Sequence, residues 1–312
     1  MAESKKESKK SRQMKNNTSE NTGSAFRTYS RMVCNFAFPQ GIIRPKPVGA
    51  RDIKTFQKYA QKQLDLSQLD VEDIQDELDP SAIEGFKTPT AEKMEEEDVL
   101  SGRERILTKK QRQETYAKQL GEALIELESM KDEVFSQENL SQFSPKMLKI
   151  YQNMTQGPGA KGLVYIYTEF RILEGVRIMG SVLQYNGYQK INFANVTNFA
   201  AFKKIYGEGL RYGIISSDED SKQRKLLLEI FNHPENKYGA YLKCILGTSA
   251  SSEGINLKRV RQIHIMEPYW NMVRNNQVKG RGVRFGSHND MPEDEKNVHI
   301  FSYHVIIHLF SL

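Results

Sequence analysis

The strongest candidates for chemistry in this sequence are two arginines near its C-terminal end. Arg281 and Arg284 are three residues apart in a stretch predicted to be helical, 272–284, so we expect both side chains on one helical face. Two adjacent guanidinium groups repel each other unless an anion joins them, and arginine suits bidentate phosphate recognition. Gly280 removes a side chain beside them. The stretch is a candidate phosphate site, although a solvated basic face is the usual explanation of an arginine pair.

A long loop of small and polar residues is the second candidate. It follows the apolar run that ends at Leu246 and reads GTSASSEGINL over residues 247–257. Such a loop can bring backbone N–H groups and hydroxyls close to a phosphate-bearing ligand. Taken alone, it would be an ordinary connection between two elements.

Alternating apolar runs and amphipathic stretches must position these two segments. Strands are predicted at 163–167, 211–215, 241–246, 261–266 and 298–305. Helices are predicted between them over 172–183 and 272–284, and a third is predicted to begin at Asp218 or Glu219 and to end before 232–234. Strands and helices that alternate in this way predict an α/β fold with a parallel sheet and helices on both faces. Sites in such sheets lie at the carboxyl ends of the strands.

The first 140 residues differ in composition from the rest. Residues 1–24 predict a disordered basic tail, and the apolar anchors and prolines of 25–47 predict an extended segment that packs on the folded part. Residues 48–140 are interpreted as an acidic, partly helical insertion: acidic side chains dominate 65–98, and a helix is predicted over 104–135. The folded lobe is expected over 141–312, where Ser144 and Pro145 begin a helix.

Composition excludes several classes of protein. The chain has 312 residues, and its 38% hydrophobic content is low for a chain folded throughout into compact core. It contains no apolar run of the roughly 20 residues that a membrane-spanning helix needs. Its two cysteines exclude a disulfide framework and a four-cysteine zinc site. The net charge of +6 allows a polyanionic partner.

The two candidate segments together resemble a known family. Gly254-Ile255-Asn256-Leu257, then Pro268-Tyr269-Trp270-Asn271, then the pattern Gln-x-x-Gly-Arg-x-x-Arg at 277–284 resemble motifs V and VI of superfamily 2 helicases, at the Swi2/Snf2 end. The run GRGVRFGSH at 280–288 is similar to the viral branch, which includes poxvirus nucleoside triphosphatase I, the small subunit of the poxvirus early transcription factor and relatives in other large DNA viruses. The segment SRMVCNF at 30–36 resembles the start of the second lobe in that branch.

This resemblance implies a RecA-like second lobe of a nucleic-acid-dependent ATPase or helicase, and it implies roles for particular residues. Arg281 and Arg284 would be arginine fingers, which stabilise charge on the γ-phosphate of ATP. The residues implied at the nucleotide are Gln277, Gly280, Glu253, Gly254 and Asn256. The residues implied at the nucleic-acid backbone, where contacts carry no base specificity, are Thr248, Ser249, Ser251, Trp270 and Asn271.

The resemblance also implies cofactors and partners. The cofactors would be ATP and Mg²⁺, the latter held mainly by a first lobe, and this chain would contribute no metal ligand. The partners would be that first lobe, in the same chain or a separate one, DNA or RNA, and a viral RNA polymerase, without a membrane. The implied setting is transcription in the host cytoplasm or the virion of a large DNA virus.

Parts of the motor are absent from this sequence. No Gly-x-x-x-x-Gly-Lys-Ser/Thr pattern occurs, and GPGAKG at 157–162 lacks its Lys-Ser/Thr ending and is predicted to be a loop. We therefore expect a first lobe encoded elsewhere, or a longer motor of which this is a part, and a chain that hydrolyses no ATP alone. The alternative is a non-catalytic, helicase-derived module that docks to nucleic acid or polymerase. A small-molecule α/β enzyme is disfavoured, because His264, His299 and His304 show no nucleophile–base spacing.

Overall fold

The computed structural model describes residues 31–45, 109–170, 173–215, 221–248, 255–268 and 272–305. The predicted tail over 1–24 and the acidic stretch over 65–98 lie outside these ranges. The chain divides into two compact units, Met1–Arg31 with Ile42–Glu126, and Met32–Gly41 with Leu127–Leu312.

The described part of the first unit consists of residues 31 and 42–45 and most of helix α1 (Lys109–Ser129), which runs across the boundary between the units. An exposed i,i+4 pair, Lys118 and Glu122, lies along it with 3.5 Å between Nζ and Oε1. The predicted single helix over 104–135 is wrong at its end, because the chain turns at Met130 and continues as the separate four-residue helix α2 (Lys131–Val134).

The second unit holds the remaining helices and all the strands of the described chain. Its helices are α3 (Leu140–Phe143), α4 (Pro145–Gln156), α5 (Val176–Tyr185), α6 (Phe199–Tyr206), α7 (Ser221–Phe231) and α8 (Met272–Gly282). Its strands are β1 (Leu163–Tyr167), β2 (Gln189–Lys190), β3 (Arg211–Ile215), β4 (Cys244–Gly247), β5 (Val260–Ile265) and β6 (His299–Ser302).

The six strands form one parallel sheet in the order β2-β3-β4-β1-β5-β6. The central strands β1, β4 and β5 are buried at every position. The uninterrupted apolar runs of β1 and β4 are typical of a sheet covered on both faces, whereas β5 also buries Arg261, Gln262 and His264. The predicted fold class, α/β with a parallel sheet, is confirmed.

Helices cover both faces, and two neighbouring residues of β3 show this directly. Tyr212 reaches α5, where a Cβ on Gly180 would lie 3.1 Å from its hydroxyl. The next residue, Gly213, faces the opposite way, and a Cβ there would lie 2.4 Å from Leu227 Cδ1 in α7. Successive residues of a strand point to opposite faces, so α5 and α7 lie on opposite sides of the sheet.

The start of the lobe matches its sequence signals. Ser144 precedes α4 and its Oγ accepts a hydrogen bond from the Met147 N–H at 3.1 Å, while Pro145 occupies the first helical position. The segment after α4, residues 157–162, is a loop, as predicted.

The elements that were not predicted include strand β2 and helix α6. Strand β2 has only two residues and gives no periodicity to detect. Helix α6 has eight residues, but its ends carry recognisable signals: the Asn198 side chain accepts from the Ala201 N–H at 2.8 Å, and Gly207 ends the helix with a positive φ of 60°.

Candidate functional site

The carboxyl edge of the sheet contains the point where the strand connections diverge. From β1 the chain leads through α5 to β2 at one side of the sheet, whereas from the adjacent β5 it leads through α8 to β6 at the other side. Such a switch point leaves a crevice beyond the carboxyl ends of the two strands, where open α/β sheets bind ligands. The first residues beyond these ends are Thr168 and Met266, with Glu267 next.

Helix α8, which follows β5, carries most of the predicted phosphate site. Asn275, Val278 and Gly282 form its buried face. Gly282 allows this close approach, since a Cβ there would lie 3.1 Å from Ile263 Cδ1 and 3.2 Å from Val260 Cβ in β5. Gln277, which is exposed, and Arg281, which is half-buried, are one turn apart on another face.

The prediction that a shared helical face brings Arg281 and Arg284 together is wrong. The helix ends at Gly282, so helical periodicity does not orient Arg284. Instead, Arg284 Nε donates to the Gly280 carbonyl oxygen at 2.8 Å, which ties its exposed side chain back to the last turn of the helix. Both arginines therefore belong to the end of α8, by different interactions.

Arg281 and Gly280 have the features of a site for an anion. The Nε atom of Arg281 is buried and has no hydrogen-bond partner within the described part of the chain. An unpaired buried donor is costly, so a ligand that accepts from it would be favoured. At Gly280 an added Cβ would meet no atom within 4 Å, so packing inside this unit does not explain the glycine.

The segment with Asn256 lies against the end of α8. The Leu257 N–H donates to the Arg281 carbonyl oxygen at 3.0 Å. Asn232 fixes the same segment from the other side: its Nδ2 donates to the Asn256 carbonyl oxygen at 2.8 Å, and its Oδ1 accepts from the Lys258 N–H at 2.7 Å. The Asn256 side chain itself is exposed. The structure thus brings Asn256 close to the arginine-bearing turn, and its role at the nucleotide stays a prediction.

Thr248 directly follows β4 at the same edge of the sheet, and its N–H lies 3.3 Å from the Ile215 carbonyl oxygen. Its side chain is fully buried, so the hydroxyl does not reach solvent. The other predicted site residues lie outside the described part of the chain: Ser249, Ser251, Glu253, Gly254, Trp270 and Asn271.

A buried polar cluster at the switch point was not predicted from the sequence. Glu267, 4% exposed, accepts three hydrogen bonds: from Thr168 Oγ1 at 2.7 Å, from the Glu169 N–H at 2.9 Å, and from Asn35 Nδ2. Lys146 Nζ donates to Asn35 Oδ1 at 2.6 Å. The cluster joins the ends of β1 and β5 to the segment 32–41 and to α4.

The environment of Glu267 has opposing effects on its charge. Burial raises the pKa of the Glu267 carboxyl, and the hydrogen bonds from Thr168 and Glu169 and the charge of Lys146 partly counter that rise. Next to it, Glu169 Oε1 lies 3.3 Å from Arg274 Nη1 in the first turn of α8. The cluster is therefore connected to the helix that carries Arg281.

The segment 32–41 packs through aromatic residues as well as through Asn35. The Phe36 ring is buried, with centroids of the Phe38, Phe143 and Phe135 rings 5.4, 6.3 and 6.4 Å away. Ser144 Oγ donates to the Asn35 carbonyl oxygen at 2.5 Å. This piece of chain, more than 90 residues before α4, is part of the second unit.

The residues that the structure describes contain no group of three or more His, Cys, Asp or Glu side chains arranged to hold a metal ion. Their helices also include none that is long and apolar enough to span a bilayer.

The chain is similar to several known proteins. Residues 172–286, from the end of β1 to the turn after α8, match the helicase conserved C-terminal domain. The chain is 31% identical over 293 residues to R350 of Acanthamoeba polyphaga mimivirus, named as an ATP-dependent RNA helicase; the match covers 90% of this chain and 34% of R350. It is 32% identical over 184 residues to a termination factor NPH-I homolog of African swine fever virus (isolate Pig/Kenya/KEN-50/1950), covering 51% of this chain and 26% of that protein.

A solved structure is also similar at low identity. The C-terminal part of the Fun30 ATPase domain matches with 13% identity and a TM-score of 0.37, over 85% of this chain and 64% of that one.

The second unit is an α/β domain with a six-stranded parallel sheet. The chain contains a helicase conserved C-terminal domain and is related to helicases and NPH-I homologues of large DNA viruses, as its motifs predict. It spans between about a quarter and a third of the length of the curated relatives that it matches first.

Proposed function

We propose that this chain supplies the second lobe of a nucleic-acid-dependent ATPase or helicase of a large DNA virus. The observation that carries the proposal is the end of α8, where Arg281 has a buried, unpartnered Nε and Gly280 faces open space. The helicase C-terminal domain over 172–286 includes this turn.

The residues present fit the phosphates of ATP. No Asp or Glu occurs from residue 268 to 289, while Lys279, Arg281 and Arg284 follow one another at the end of α8. None of these three has a carboxylate partner among the described residues. Arg281 and Arg284 would donate hydrogen bonds to phosphate oxygens on which negative charge develops, and Gln277 would contact the nucleotide one turn earlier.

The rest of the ATP site would come from a first lobe. That lobe would hold Mg²⁺ and most of the phosphate contacts, and Mg²⁺ would neutralise phosphate charge when bound. Gly280 would let the first lobe or the nucleotide approach the α8 backbone. Asn256, held beside Arg281 by the Leu257 N–H, would link the nucleotide to the loop that contacts nucleic acid through Ser249 and Ser251. The buried side chain of Thr248 does not fit the predicted contact with nucleic acid.

The viral setting is part of the same proposal. The African swine fever virus relative is named a termination factor NPH-I homolog, and this name supports a role in viral transcription. A viral RNA polymerase would then be a partner, DNA or RNA the polymer, and the host cytoplasm or the virion the location.

A reconstitution experiment tests the proposal. ATP hydrolysis is measured for this chain alone, for a first lobe that carries the phosphate-binding loop, and for the two together, with and without single-stranded DNA or RNA. We expect hydrolysis only in the combination, stimulated by the polymer and reduced by salt. Equal hydrolysis by the first lobe with and without this chain would contradict the proposal, and nucleic-acid binding without any such activity would favour the non-catalytic docking module.

A further inference from the structure

Phe285, directly after Arg284, projects fully into solvent, with a relative exposure of 108%. Other phenylalanines of the unit, such as Phe36, Phe202 and Phe231, are at most 1% exposed. An exposed aromatic ring forgoes the favourable free energy of burial. The position therefore calls for a ligand or partner that covers the ring.

The turn around Phe285 is firmly held on its C-terminal side. Ser287 Oγ lies 2.8 Å from the Arg284 carbonyl oxygen, and the Arg259 N–H donates to the Ser287 carbonyl oxygen at 3.1 Å. His288 Nε2 lies 2.8 Å from the carbonyl oxygen of Val260 in β5. On the N-terminal side Arg284 is tied to Gly280. The exposure of Phe285 is thus the result of a fixed turn that presents the ring.

Arg259 strengthens the hold on this turn. Its guanidinium pairs with Asp290, with Nε 2.6 Å from Oδ2, and Nη1 donates to the Asn232 carbonyl oxygen at 2.5 Å. Arg259 adopts a positive φ of 59°, which is unfavourable for a side chain with a Cβ, so these contacts hold a strained backbone in place.

The chemistry around the ring favours one class of ligand. Lys279, Arg281 and Arg284 precede Phe285 without an intervening acidic residue. A protein partner with an apolar pocket for the ring would have to desolvate these cations, which is costly. A nucleotide offers both a flat base for the ring and phosphates for the cations.

We propose that Phe285 is a stacking platform for a nucleobase whose phosphates are bound by the neighbouring cations. The inference rests on the proposed function and adds to it a contact with the base. The base belongs either to ATP or to a single-stranded nucleic acid, and both would stack on the ring in the same way. Stacking on an aromatic side chain tolerates any base, so the contact strengthens binding without selecting a sequence.

The test compares ligands that differ only in the base. The full chain is titrated with a fluorescein-labelled single-stranded oligonucleotide and with an abasic oligonucleotide of equal length, and separately with ATP and with tripolyphosphate. The variants are Phe285→Ala, Phe285→Trp and Arg284→Ala. Val283→Ala, which truncates an exposed aliphatic side chain two residues away, is the matched control. Urea unfolding checks that each variant is folded.

We expect Phe285→Ala to weaken binding of a base-containing ligand by about five- to a hundredfold and to leave its base-free counterpart unchanged. Phe285→Trp should retain tight binding, and Val283→Ala should have no effect. An effect confined to ATP assigns the base to the mononucleotide, and one confined to the oligonucleotide assigns it to the strand.

Three results would overturn the inference. The first is that the wild-type chain binds neither base-containing ligand more tightly than its base-free counterpart. The second is that Phe285→Ala loses affinity equally for base-containing and base-free ligands. The third is that Phe285→Ala loses no affinity for either. The last result would leave an apolar protein partner as the alternative ligand of the ring. Arg284→Ala separates this inference from the proposed function. It should weaken the binding of base-containing and base-free ligands alike. If it weakened neither, the proposed phosphate site would be contradicted, whatever the result for Phe285.

Discussion

The buried contact between Asn35 and Glu267 gives the most discriminating test of how the lobe is assembled. Replacing Asn35 by Asp keeps the size of the side chain and the oxygen that accepts from Lys146. The amide group that donates to Glu267, however, becomes a second carboxylate oxygen facing the first. Packing is conserved, so the change in stability reports the charge and the hydrogen bond.

The expected loss of stability depends on whether the two carboxyl groups of Asn35→Asp and Glu267 both stay charged or one of them is protonated. Two unit charges about 3 Å apart repel by about 5 kcal/mol at an effective dielectric constant of about 20. Protonating one carboxyl of pKa about 4 at pH 7 costs about 4 kcal/mol and restores a donor between the two groups. Protonation is the cheaper option, and Lys146 offsets part of the repulsion, so we expect a loss of about 2 to 4 kcal/mol in the free energy of unfolding at pH 7.

The sign of the pH dependence follows from the same argument. In Asn35→Asp one folded-state carboxyl has a raised pKa, so between about pH 4 and 7 the folded state holds a proton that the unfolded state lacks. The difference from wild type should therefore shrink as the pH falls, by up to about 1.4 kcal/mol per unit.

Urea unfolding followed by circular dichroism at pH 7, 6 and 5 measures these differences. Asn192→Asp is the matched control, because Asn192 is exposed and its Oδ1 only accepts, from the Ala194 N–H at 2.8 Å. Adding Glu267→Gln to Asn35→Asp supplies a new donor and should recover more than half of the loss. The reasoning would be refuted if Asn35→Asp were as stable as the control, or if the double variant recovered nothing.

Two further changes test other parts of the structure. Gly280→Ala should raise the free energy of unfolding of the chain by about 0.5 to 1 kcal/mol, because alanine favours the helix and the new Cβ meets no atom within 4 Å. The same variant should lower ATP hydrolysis by the two-lobe assembly. Unimpaired hydrolysis would show that neither the first lobe nor the nucleotide comes close to the α8 backbone at Gly280. Burial lowers the pKa of His264 to about 3, so the unfolded state is protonated first and stability should fall as the pH drops from about 6.5 toward 3. His264→Gln should show a flatter dependence in urea unfolding from pH 7 to 4, and an unchanged slope would argue against a neutral buried His264.

Local patterns in the sequence were sufficient to predict most of the sheet. The continuous apolar run at 163–167 is strand β1, and the short strand predicted at 211–215 is β3, both with the predicted bounds. The strand predicted at 241–246 begins later, since β4 is Cys244–Gly247. The strand predicted at 298–305 is shorter at both ends, since β6 is His299–Ser302. Apolar side chains just outside a strand, such as Tyr241 and Leu242, are buried in the core without pairing in the sheet, so hydrophobicity alone overstates strand length.

The candidate site was predictable where its residues are close in sequence. Gln277, Gly280, Arg281 and Arg284 lie within a stretch of eight residues, so their types and spacing predict a common role. The contact of Asn35 with Glu267 joins residues 232 apart, and no local pattern relates them. The available signal was a carboxylate, Glu267, two residues after the last residue of β5, because a charge at the carboxyl end of a buried strand needs a specific partner.

The exposure of Phe285 could not be read from the sequence either. An aromatic residue between Arg284 and Gly286 fits equally well in a core or on a surface. It is the contacts of Ser287, His288 and Arg259 that hold this turn outward.

The measurement that tests the central claim most directly is the single-turnover rate of ATP cleavage by the two-lobe assembly carrying Arg284→Ala, at saturating ATP. The control is Lys204→Ala. It removes one exposed positive charge near the end of α6, the helix that leads into β3. If Arg284 stabilises charge on the transferred phosphate, the rate should fall by about 10³-fold or more in Arg284→Ala and stay unchanged in Lys204→Ala. A wild-type rate in Arg284→Ala would contradict the assignment of the arginine-bearing turn to the ATP site.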